Sequence, residues 1–145
     1  MTRKPETFFE EMKRYVGFSE EDARLLQAVD ARMDPYLAAM SERFYDQITQ
    51  HPEAGKVFTG GQEQIDRLKR TLQVYAKRLF RGPFDEDYAA GRYKIGVRHV
   101  LIGLPQRYMI SAMGVVRIHL PECLGEILRS EPARAHSLSE FLLEI

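Results

Sequence analysis

The sequence predicts an all-α domain of six to eight helices, and three observations carry that prediction. Strand-like alternation of apolar and polar residues is absent throughout the chain. Apolar residues instead recur three and four positions apart, the spacing of one helix face. The breaks between these runs are helical punctuation, with capping residues before them and Gly or Pro after.

The elements follow in order. In "FSEEDARLL", Ser19 offers an N-cap and the acids of the first turn suit the positive end of the helix dipole. In "DPYLAAMSERFYDQITQHP", Asp34 reads as a cap with Pro35 at the first helical position. Leu37, Met40, Phe44 and Ile48 then repeat until Pro52 restricts His51. "GGQEQIDRLKRTLQVYAKRLFRGPF" places Ile65, Leu68, Leu72, Tyr75, Ala76 and Leu79 on one face and stops at Gly82-Pro83. Asp85 opens a shorter helix towards His99. Gly103-Leu104-Pro105 separates it from a long helix to about Leu128. After Pro132 a last helix is expected near Ala133, with Leu138, Phe141, Leu142 and Ile145 on one face and no cap behind them. That open end predicts that residues 1–145 are a single domain truncated before a C-terminal output module.

Composition narrows the class. The 145 residues are enough for one domain with its own core, and 44% hydrophobic with 29% charged is a globular balance. Lys+Arg and Asp+Glu stand at 21 each, so no net field draws in nucleic acid or an anionic membrane. Cys123 is the only cysteine, which excludes an internal disulfide and fits a reducing compartment. The N-terminus lacks the apolar run of a signal peptide, and no stretch of about 18 apolar residues could span a bilayer. These features predict a cytoplasmic protein with no nucleic-acid or membrane partner.

Few residues could carry chemistry. "RYKIGVRHVLIGLPQRYM" sets His99 on the apolar face of its helix, within roughly 40° of Tyr88 and Ile95, and Arg92 shares that face. A core histidine bonded to a backbone carbonyl is one reading; a metal ligand through a neutral imidazole is the other. Zinc suits it poorly, because no second His, Cys or carboxylate follows at the third or fourth position. Haem needs only one axial imidazole, since the porphyrin supplies four donors. Tyr45 lies on the shoulder of its apolar face, where its hydroxyl could meet either water or a cavity. Thr71 sits at the edge of the Leu68–Leu72 face, where most threonines bond back to their own helix. Arg67, Arg70, Arg78 and Arg81 form a basic stripe that reads as a solvated face. No nucleophile motif surrounds Cys123, and His136 lacks the acidic neighbour of a phospho-acceptor.

"RFYDQI", "DRLKRTLQVYAKRLF" and "RYKIGVRHVLIGLPQRYM", in this order and at these separations, resemble the globin domain of globin-coupled sensors from about Ser19 to Arg129. The resemblance implies a globin-like fold whose last two long helices form a homodimer interface. It implies haem b with His99 as the proximal iron ligand and Tyr45 as the distal tyrosine. Leu68 and Thr71 match the distal positions over a bound gas, and Leu72, Ile95 and Ile102 the apolar wall. Tyr108 matches a proximal position, although some relatives carry an extra residue between it and the histidine. The implied ligand is dioxygen, with carbon monoxide and nitric oxide as alternatives. The implied output is a histidine kinase of a two-component system, so that the domain itself is not an enzyme but its parent is. A diguanylate cyclase or chemotaxis transducer is the alternative output. A free-standing globin and a haemless dimerisation module are the competing readings.

Overall fold

The computed structural model describes residues 5–129, and every element among them is helical. The expected last helix, with Leu138, Phe141, Leu142, Ile145 and His136, lies outside the described residues, as does half of the expected dimer interface. The six helices are α1 (Phe8–Tyr15), α2 (Glu20–Thr49), α3 (Pro52–Gly55), α4 (Gly61–Arg81), α5 (Glu86–Leu101) and α6 (Gln106–Arg129).

α1 departs from the sequence reading, which took that stretch only as evidence against a signal peptide. Thr7 caps it: its hydroxyl accepts from the Glu10 amide, and Glu10 accepts from the Thr7 amide in return. Ser19 caps α2 in the same reciprocal way through Asp22.

A second departure concerns Pro35. α2 runs unbroken from Glu20 to Thr49 with Pro35 inside it, so Asp34 does not begin a new helix. The buried stripe Val29, Met33, Leu37, Met40 and Phe44 passes straight through the proline. Burying each such side chain is worth about 1.5–3 kcal/mol, enough together to outweigh the ~3 kcal/mol that an interior proline costs. Asp34 serves α4 instead: Lys77 Nζ lies 2.5 Å from its carboxylate and 3.1 Å from that of Asp30. Burial alone would lower the Lys77 pKa, but these two acids outweigh it and hold the ammonium charged.

α2 is the spine. α4 and α6 pack along it, and the core is built from its stripe with Leu72, Ala76 and Phe80 of α4 and Val116, Leu124, Ile127 and Leu128 of α6. α5 is different. It contributes no buried residue, and it shares no extended interface with another helix. Its first turns are fastened by aromatic contacts: Tyr88 meets Phe84 at 5.3 Å and Phe9 at 5.9 Å between ring centroids. Its later turns stand away from the bundle, with Val100 and Leu101 about three-quarters exposed.

The C-terminal end of α5 is fixed by its backbone. Gly103 takes φ +70°, its N–H donates to the Val100 carbonyl, and the Leu104 N–H donates to the His99 carbonyl. This glycine-closed pair of bonds stops the helix at Leu101, two residues beyond His99. Gly103→Ala puts a Cβ on a left-handed residue, so it should cost about 1 kcal/mol by chemical denaturation. A loss below a few tenths would show that the turn does not need glycine.

Candidate functional site

Two walls carry the residues singled out in the sequence. The first is the α2–α4 wall. Tyr45 is 9% exposed and lies in one apolar cluster with Leu68, Leu72 and Tyr75. Its ring packs edge-on against Phe44 at 5.1 Å and Phe58 at 6.0 Å. Its hydroxyl has no hydrogen-bond partner among the described residues. Burial pushes the phenol pKa up to about 12. The proton therefore stays on throughout the neutral range, leaving a donor in apolar surroundings. Because burial penalises only the phenolate and so raises the folded value, folding stability is unaffected by this group below pH ~10 and falls as pH climbs towards 12.

The second wall is α5. His99 is half-buried, and its Nδ1 is fully enclosed with no hydrogen-bond partner. The reading of a core histidine bonded to a backbone carbonyl is thus not what the structure shows. A lone imidazole nitrogen stripped of water and left unpaired costs about 1–3 kcal/mol. Ile95 and Ile102 are more than a third exposed and do not join the α2–α4 cluster. A Cβ placed on Gly96 would meet nothing within 4 Å.

The structure thus brings Tyr45, Leu68 and Leu72 together, and sets Ile95, His99 and Ile102 on a helix that does not pack against them. Thr71 is exposed, and its hydroxyl donates to the Arg67 carbonyl at 3.0 Å. Tyr108 is half-buried in the first turn of α6, with the Arg107 guanidinium 4.8 Å from its ring.

Sequence reasoning missed the partners of Arg92. Its guanidinium carbon sits 3.6 Å from the Tyr75 ring centroid and 4.6 Å from that of Tyr88, joining α4 to α5. The signal was present, since a charged residue shared the face of His99, but two tyrosines as its bed cannot be read from spacing. A cavity of about 1030 Å³ bordered by α1, α2, α4, α6 and the first turn of α5, lined by Phe9, Phe18, Phe80, Phe84, Tyr88 and Leu124 among others, was also not foreseen. It includes none of the eight residues named for the site. Of the basic stripe on α4, Arg67, Arg70 and Arg81 face solvent as expected, whereas Arg78 lies over the Tyr88 ring at 5.8 Å. Burial first, then Glu126 and Glu122, raises the Cys123 pKa, which fits the absence of a nucleophile motif. No group of three or more His, Cys, Asp or Glu side chains among the described residues could hold a metal ion by itself.

No helix among the described residues is long and apolar enough to cross a membrane. Comparison with known proteins locates the domain. A relative in Halobacterium salinarum, the heme-based aerotactic transducer HemAT, is 28% identical over 96 residues. The match takes in 66% of this chain but only 20% of the transducer, so the chain spans about a fifth of that relative's length. The family profile described as Protoglobin matches residues 6–144. With every described element helical and the family match spanning nearly the whole chain, the chain is a globin domain and belongs to the protoglobin family.

Proposed function

We propose that this domain binds haem between α4 and α5 and senses a diatomic gas there. The observation that carries the reading is His99: an imidazole that no described side chain or carbonyl engages, whose Nε2 is not enclosed, on a helix that stands off the bundle. The donor set suits haem. One neutral imidazole would serve as the iron's protein ligand, and the apolar side chains of α4 and α5 would face the ring. Leu68 and Leu72 would form the wall on α4, and Ile95 and Ile102 the wall on α5. The relative's printed name, a heme-based transducer, supports the same reading. Protoporphyrin IX iron, haem b, is the form that a single histidine with no thioether-forming cysteine nearby would hold. Haem iron, when bound, would supply the binding chemistry for dioxygen, carbon monoxide or nitric oxide.

The chain's own residues do the rest. His99 holds the proximal side, and the end of α5 behind it is fixed by Gly103. Tyr45 offers a protonated hydroxyl that no described residue engages, a donor free to reach a gas ligand on the distal side. Leu68 and Thr71 border that space from α4, with the Thr71 hydroxyl already committed to its own helix. Tyr108 follows the α5–α6 turn and would lie on the proximal side.

Signalling requires an element with two arrangements that the ligand biases differently. α5 is the candidate, packed at its first turns and exposed at its last. We infer a homodimer through α6 and the last helix. Ile110 and Ile118 support it, being about 60% exposed and on one face of α6. The output module is proposed from likeness alone. The sequence resemblance favours a histidine kinase, while the matched relative is a transducer.

Haem titration tests the core of the proposal. Apoprotein should take up one equivalent of haem and give an absorption band that carbon monoxide shifts. Protein that stays colourless with haem in excess would overturn it.

A further inference from the structure

Arg92 has more donors than its surroundings use. The guanidinium is immobilised against Tyr75 and Tyr88, and its Nη2 donates to the Tyr75 carbonyl at 3.1 Å. Its Nη1 is fully enclosed and has no partner. No carboxylate among the described residues pairs with it. Arg78 brings a second guanidinium to the same Tyr88 ring, again without an acid partner among the described residues, and it lies close over Gly91. Two cations thus converge on the Tyr88 ring, and one carries an unused, desolvated N–H group. Enclosing a charge without a counter-charge is costly. A planar fork held by two rings is also ready to take a carboxylate with little further loss of freedom.

We propose that Arg92 is a carboxylate-binding residue, and that its partner is an acid side chain of the haem placed above. The inference rests on that haem reading. Arg92 lies seven residues before His99 on the same face, about 10 Å along the helix. That is the scale on which the acid side chains of a porphyrin stand away from its centre. A purely structural clamp between α4 and α5 accounts for the rings and the Nη2 bond. It leaves Nη1 unexplained.

The test compares haem with haem dimethyl ester, which lacks the charged carboxylates. Both are loaded into wild-type protein, Arg92→Gln and Arg92→Lys, and their loss to excess apomyoglobin is timed. In wild type, esterification should speed loss about tenfold or more. In Arg92→Gln, acid and ester should leave at one common rate near that of the wild-type ester. Arg92→Lys, which keeps the charge, should retain part of the discrimination. If Arg92→Gln speeds the loss of both forms by one factor, Arg92 is only a clamp and the proposal is overturned. If acetate stabilises wild-type apoprotein but not Arg92→Gln, while esterification leaves the loss of haem unchanged, the partner is a free anion and the haem assignment is overturned. A wild type that holds both forms equally sinks the Arg92 assignment alone. A wild type that holds neither sinks the haem reading with it.

Discussion

Tyr45→Phe should release dioxygen roughly ten- to a hundredfold faster than wild type, the equivalent of about 1–3 kcal/mol. The ring's contacts with Phe44 and Phe58 survive the change, so only the hydroxyl is removed. That hydroxyl bonds to no described residue, so its loss should leave the stability of the apoprotein close to wild type. Carbon monoxide gains less from a donor, and its release should change far less. Because the phenol keeps its proton up to about pH 12, the ratio of wild-type to variant rates should be flat from about pH 6 to about pH 10. Stopped-flow release of both gases across that range checks all three expectations. An unchanged dioxygen rate would remove Tyr45 from the site.

His99→Ala should abolish stable haem retention, with loss of the cofactor on the order of a hundredfold faster or more. The apoprotein offers the sharper contrast. A histidine serving the core would take stability with it when removed. An enclosed Nδ1 without a partner carries a desolvation penalty of about 1–3 kcal/mol, so its removal should leave the apoprotein as stable as wild type or more so. The holoprotein should lose the stabilisation that bound haem supplies by mass action. Free imidazole added to His99→Gly should restore the spectrum, which a misfolded variant could not do. An apoprotein strongly destabilised by His99→Ala, with haem still bound, would return His99 to the role of a packing residue.

The two substitutions address different helices, and the structure explains why they were unequally legible. His99 stood out because a titratable ring on an apolar stripe breaks a local rule. Tyr45 did not, since a tyrosine on the shoulder of a helix face fits water or a cavity equally well. Only the packing of α2 against α4 buried it and withheld a partner from its hydroxyl. Thr71 was legible in its ordinary role, and its bond to the Arg67 carbonyl is that role. Arg92 looked odd on its face but acquired meaning only when Tyr75, from another helix, came to lie 3.6 Å away.

Helix ends were decided by neighbouring residues, and so the sequence alone determined them: Ser19, Asp85, Gly82-Pro83 and Gly103 act through bonds spanning a turn or less. The all-α class followed from the same local periodicity. The course of α2 through Pro35 was decided by the tertiary structure, because a buried stripe shared with α4 and α6 outweighs one missing backbone bond. The stand-off of α5 was decided there too. Whether an apolar face is covered depends on what lies opposite it, and that is settled by chain segments far apart in sequence.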